Sequence, residues 1–104
     1  MIARMWRGRA DLERADDYCR HVTGKVLPAL TTLGGHRGAC VLRREWDGKA
    51  EFVVITFWDS LDAVRAFAGE NVDAAVVEPE ARAVLADFDD VVRHYEVVHD
   101  SRPR

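Results

Sequence analysis

A few side chains in this sequence have the chemistry to hold and ionise an organic molecule. His94 is of the type that takes up and returns a proton near neutrality. Arg4 and Arg43 offer guanidinium groups that favour an anionic oxygen beside them, and Trp6, Trp58 and Phe67 offer flat apolar walls for a planar ring. Each also has a plainer use. Trp6 and Trp58 serve as well in a core or an interface, His94 as a hydrogen-bonded interface histidine, and Arg43-Arg44 beside Glu45 as a solvated strand end. Strand alternation puts Tyr95 on the face opposite His94.

Other titratable groups read as surface. His21 and the Asp16-Asp17 pair fall on the polar side of the first helix, and Glu78, Glu80, Asp89 and Asp90 sit beside helix and strand ends. Cys19 and Cys40 are far apart and lack histidines at ligand spacing, so they read as small buried apolar groups, with no metal site and no disulfide expected. There is no phosphate-binding glycine loop, nucleophile elbow or zinc signature.

Composition sets the setting for these groups. With 48% hydrophobic and 32% charged residues, the chain is an ordinary globular domain. A net charge of -3, with arginines scattered among acids, argues against a nucleic-acid partner. No apolar run reaches the roughly 18 residues of a spanning helix, and Met1 to Arg9 lacks the apolar core of a signal peptide. A cytoplasmic protein with no membrane partner is expected. At 104 residues a chain hides only about 60 to 68% of the surface that it exposes unfolded, so its own core is marginal.

The elements that must position the candidate groups follow from periodicity. Ile2 to Arg7 alternates and reads as a strand, with Arg4 and Trp6 on one face. After Asp11 as N-cap, Leu12, Ala15, Cys19, Val22 and Val26 form the buried stripe of a helix expected to stop or kink near Gly24, with a further turn from Pro28 to Leu33. Arg37 to Glu45 and Glu51 to Trp58 read as strands joined by an Asp47-Gly48 hairpin turn. Ser60 caps a helix from Leu61 to Ala68 ending at Gly69, Pro79 starts a short helix through Ala81, Val84 and Leu85, and Val91 to Val98 is the fourth strand.

That order predicts an α+β, ferredoxin-like split βαβ with a four-stranded antiparallel sheet, a single domain over residues 1–99 and a disordered tail over 100–104. The third strand sends Phe52, Val54, Thr56 and Trp58 to one face, and Val53, Ile55 and Phe57 to the other. Two helices cover only one face. Leaving the second in water forgoes about 1.5 to 3 kcal/mol for each large side chain, so a homodimer through the sheet face is expected.

The whole chain resembles the antibiotic biosynthesis monooxygenase family of dimeric α+β barrels. The resemblance rests on Met1 to Gly8, Arg37-Gly38-Ala39, Thr56 to Ser60 leading into Ala66 to Gly69, and His94 to Val98. It implies a cofactor-independent oxygenase, with no metal and no cofactor, acting on a small apolar or aromatic, polyketide-like molecule. Trp58 matches the tryptophan that the family holds at the end of the third strand, which adds it to His94 as a catalytic candidate; Trp6, Arg4, Phe67 and Arg43 are the substrate-binding candidates. The sequence departs from the family at Val54, where quinone-forming members carry asparagine, and residues 58–88 lack the haem-ligating histidine of haem-degrading members. Two other readings remain open: a non-catalytic dimer that binds a small ligand or serves an assembly, and a cyclase or isomerase using the same pocket.

Overall fold

A computed structural model describes residues 1–103. Strand β1 (Ile2–Asp11) is followed by a 3-10 turn (Leu12–Arg14), α1 (Ala15–His21), a π-helical turn (Val22–Val26) and α2 (Leu27–Leu30). Then come β2 (His36–Trp46), β3 (Lys49–Trp58), α3 (Leu61–Ala68), α4 (Pro79–Val84), β4 (Asp87–Phe88) and β5 (Arg93–Glu96). The sheet is antiparallel in the order β2-β3-β1-β4, and β5 also pairs with β1. This is the expected ferredoxin-like arrangement with one correction: the fourth strand comes in two pieces, both on β1, separated by Asp89 to Val92.

Local chemistry explains most boundaries. β2 and β3 turn through Asp47 (φ 54°) and Gly48 (φ 75°), the pair of left-handed residues that a two-residue hairpin requires. Ser60 caps α3 by accepting from the Ala63 N–H at 3.2 Å, and Gly69 follows its last residue, as expected. β1 runs four residues past the expected end at Arg7, because Gly8 to Asp11 continue to pair with Phe52 to Lys49 of the long hairpin strand.

The first helical segment differs more. It does not stop at Gly24. The Leu27 N–H reaches back five residues to the Val22 carbonyl, and this wider turn absorbs Pro28, which has no N–H to give the preceding turn. The buried stripe is also wider than the expected one: Ala15 and Val22 are buried and Cys19 and Val26 pack against the same core, as expected, with Tyr18 and His21 added. Leu12 lies in the 3-10 turn and is exposed, while Ala15, Tyr18, His21 and Val22 are buried. A 3-10 turn advances its side chains by a larger angle than an α-helix does, which takes Leu12 off the stripe. His21, read as a surface residue, is a core-facing one.

The helices cover one face of the sheet. Phe52, Trp58, Tyr18, Val22 and Val64 are the buried anchors there. On the other face lie Met5, Leu42, Val53, Ile55, Phe57 and Tyr95, with Leu42 and Tyr95 exposed and the rest half-buried. Arg102 of the terminal segment places its guanidinium 4.5 Å from the Phe57 ring centre on that face. Among the described residues no helix is long and apolar enough to cross a membrane.

Since the helical segment runs through Gly24, whose missing Cβ would meet nothing within 4 Å, Gly24→Ala is expected to stabilise the fold by about 0.5 to 1 kcal/mol. Chemical denaturation checks this; a chain broken at Gly24 would lose stability instead.

Candidate functional site

A cavity of about 320 Å³ lies between the sheet and the first helical segment. Its floor is the inward face of the two central strands: Arg4 and Trp6 of β1, which stand beside Thr56 and Val54 of β3 in register. Tyr18, His21, Val22, Val26, Leu27 and Leu30 roof it, and Phe67, Val77 and Glu78 contribute to its sides. The π-helical turn is what lets Tyr18 and His21 before it, and Leu27 and Leu30 after it, look at the same sheet.

Arg4 is the most unusual group in the lining. It is only 4% exposed, and no carboxylate among the described residues lies within 4.0 Å of its guanidinium. It donates instead to the Val72 carbonyl at 2.5 Å, the Ala74 carbonyl at 2.9 Å and His94 Nε2 at 3.0 Å, and it lies 5.7 Å from the Phe67 ring centre. Burial pulls its pKa down while Asp73 pushes it back up. A guanidinium keeps its charge even so, and the result is a cation at the wall of an apolar cavity.

The sequence candidates divide around this cavity. Trp6, Arg4 and Phe67 line it. Trp6 lies flat against its own strand, where a Cβ on Gly8 would come within 2.3 Å of the indole, and its Nε1 donates to the Asp89 carbonyl at 2.9 Å. Trp58 does not line it. Its ring is fully buried behind Phe67, stacked at 5.5 Å, with His36 edge-on at 5.1 Å and Nε1 donating to Thr56 Oγ1 at 2.8 Å. His94 also sits behind the wall: Nε2 accepts from Arg4, which leaves Nδ1 as the protonated nitrogen, 3.4 Å from Asp73. Arg43 is outside the cavity, paired with Asp16 at 3.0 Å and lying over Phe52. The expected convergence of Trp6, Trp58 and His94 on one space is therefore met by Trp6 alone, because alternation aims His94 at Arg4 and the Trp58 indole fills the core beyond Phe67.

Two lining groups were missed in the sequence. Tyr18 packs edge-on against Phe52 at 4.8 Å, and burial pushes its phenol well above the usual range, so it stays a neutral donor. His21 is 9% exposed, and neither ring nitrogen has a hydrogen-bond partner among the described residues. The spacing Ala15, Tyr18, Val22 with His21 adjacent is a usable signal, since it runs alongside the Ala15, Cys19, Val22, Val26 stripe.

No family profile and no curated protein matches the chain, whereas solved structures match it end to end. A provisionally assigned antibiotic biosynthesis monooxygenase of Bacillus cereus superposes with a TM-score of 0.66 at 17% identity, covering 98% of this chain and 97% of that one. A second provisionally assigned antibiotic biosynthesis monooxygenase, of Deinococcus radiodurans, gives 0.66 at 16% identity over 100% and 99% of the two chains. The haem-degrader MhuD of Mycobacterium tuberculosis, solved with two haems in its active site, gives 0.63 at 19% identity over 98% and 100%. The chain thus has the fold of the antibiotic biosynthesis monooxygenase type. The lining does not fit haem: two propionates would find one cation, Arg4, already donating to two carbonyls and an imidazole, and a carboxylate, Glu78, on the same wall.

Burial lowers the pKa of both His94 and His36, and Arg4 lowers that of His94 further. The folded chain therefore resists a proton that the unfolded chain takes up, and stability is expected to fall as pH drops below about 6.5. His94→Gln keeps an acceptor for Arg4 and should flatten part of that decline; equal slopes in denaturation at successive pH values would exclude His94 as its source.

Proposed function

We propose that the chain is a cytoplasmic, homodimeric, cofactor-independent monooxygenase of the antibiotic biosynthesis type, which oxidises a small aromatic or polyketide-like compound with molecular oxygen. The observation that carries this reading is the charged, buried Arg4 at the wall of a largely apolar cavity beside Trp6 and Phe67. A flat ring stacks on such walls, and a phenolate or enolate oxygen gains from a cation that water does not screen. The ionised ring is then electron-rich enough to give one electron to oxygen. Recombination at an activated CH2 yields a hydroperoxide, and loss of water leaves a carbonyl, so that CH2 and O2 become C=O and H2O. In this scheme Arg4 stabilises the anion, Trp6 and Phe67 bind the ring, and His94, Trp58 and Thr56 hold those groups in place. The fold shared with provisionally assigned monooxygenases supports the same class.

The dimer part rests on the outer sheet face. Leu42, Val53, Ile55, Phe57 and Tyr95 form an apolar surface that no helix among the described residues covers, and a self-complementary pairing of two such sheets is the simplest way to bury it. Sedimentation is expected to give twice the chain mass, and Ile55→Lys to shift it to the monomer. A wild-type monomer at micromolar concentration would end this part of the reading.

Oxygen uptake tests the chemistry with a panel of hydroxylated anthrones. Arg4→Gln should lower kcat/KM by about 10²- to 10³-fold, as removal of a transition-state charge partner does, and Trp6→Ala should chiefly raise KM. Trp58→Ala should act through the fold, costing about 3 to 5 kcal/mol of stability. A wild type that binds these compounds without consuming oxygen would favour the non-catalytic ligand-binding reading.

A further inference from the structure

We infer that Tyr18, on the roof of the cavity, is its second polar anchor: the phenol donates a hydrogen bond to a neutral carbonyl oxygen at the end of the ligand remote from Arg4. This anchor, which rests on the reading of the site given above, narrows the substrate class to planar rings with an ionisable hydroxyl at one end and a carbonyl at the other.

The polar side chains of the lining leave few free donors. Arg4, Trp6 and Thr56 already have protein partners, and Glu78 brings a carboxylate, which accepts. The two His21 nitrogens are enclosed, with Glu78 and Glu80 at 3.8 and 3.5 Å. Tyr18 differs from all of these. Its hydroxyl makes no hydrogen bond among the described residues, yet its oxygen is not one of the fully enclosed, unpartnered atoms, so the O–H meets open space. Because the residue is only 3% exposed and lines the cavity, that space is the cavity. Burial holds the phenol well above its usual range, so it stays protonated and offers a neutral donor. A buried donor without an acceptor is destabilising, and a ligand oxygen relieves this.

The sheet register sets where the two anchors stand. Arg4 pairs with Thr56, Trp6 with Val54 and Gly8 with Phe52. At one end of this row Arg4 lies 5.7 Å from the Phe67 ring centre; towards the other, Tyr18 packs on Trp6 at 6.1 Å and on Phe52 at 4.8 Å. The Arg4 and Gly8 positions are about 13 Å apart along the strand, with Trp6 and Val54 between them. A ring lying over Trp6 therefore has a cation towards one end and a neutral donor towards the other. Tyr18 belongs to the apolar cluster of Ala10, Ala50 and Phe52, which tolerates a hydrogen-bonded carbonyl and disfavours a second charge.

The test compares two naphthols of nearly equal shape, with the hydroxyl on one ring and either an acetyl or an isopropenyl group at the far end of the other. Tyr18→Phe removes only the phenolic oxygen. By calorimetry it is expected to weaken binding of the ketone about tenfold and to leave binding of the isopropenyl compound unchanged or tighter. In the infrared, the carbonyl stretch of the ketone bound to the wild type should lie below that of the same ionisation state in an apolar solvent, and should return towards it in Tyr18→Phe. Equal losses for both compounds, or a ketone affinity that the substitution does not change, would overturn the assignment. So would a wild type that binds neither naphthol. If Tyr18→Phe does not fold, the wild-type stretch decides, and an apolar-solvent position overturns it. Oxygen uptake judges the monooxygenase reading separately. Uptake of oxygen with an unchanged ketone affinity in Tyr18→Phe removes the anchor alone, whereas the expected ketone binding without any oxygen consumption keeps the anchor and removes the oxygenase.

Discussion

A guanidinium held inside an apolar wall, with no carboxylate against it, ties the parts of this site together. Arg4 reaches from β1 to the carbonyls of Val72 and Ala74 and to His94 on β5. Hydrogen bonds from a charged donor are worth roughly 1.5 to 3 kcal/mol each, and losing them would strand both the charge and the carbonyls. The segment after α3 has almost no regular structure of its own up to α4, so these bonds, with the Ala74–Val91 bridge, decide where it runs. The same bonds set the polarity of the cavity. The carbonyls and the imidazole satisfy the donors of Arg4 without cancelling its charge, and Asp73, which lies against His94, only offsets part of the effect of burial on it.

The cavity itself depends on an irregular helix. A straight α-helix from Ala15 onward would meet Pro28 with a missing N–H and a ring against the preceding turn. Widening one turn at Val22–Val26 resolves this and shifts the following residues by one position around the axis. Tyr18, His21, Val22, Val26, Leu27 and Leu30 all then face the sheet, yet they are too spread out to fill the space over Trp6 and Val54. A proline that looks like a helix terminator in the sequence is thus the origin of the roof.

Buried aromatics complete the division of labour. Trp58, fully enclosed between Phe67 and His36 and anchored on Thr56, is a support rather than a lining group, and Phe67 presents the surface that it backs. His94 stands in the same relation to Arg4. In each case the residue that draws attention in the sequence lies one layer behind the residue that meets the cavity.

By itself the sequence determined the element order, the hairpin at Asp47-Gly48, the caps at Ser60 and Gly69 and the two-sided grease of β3, because turn geometry, capping and period-two alternation act over neighbouring residues. It also brought Trp6, Arg4 and Phe67 into view, since strand alternation puts the first two on one face and the third is an aromatic of the type that walls a pocket. Only the tertiary structure decided that His21 and Tyr18 look into the cavity, that His94 faces Arg4 and that Arg43 pairs with Asp16 outside. Those outcomes depend on the phase of one helix after a 3-10 turn and on which chain segment crosses above which strand. Such distances are set by packing between residues far apart in the chain, and the local spacing of Ala15, Tyr18 and Val22 gives only the face of the helix, not the space it looks into.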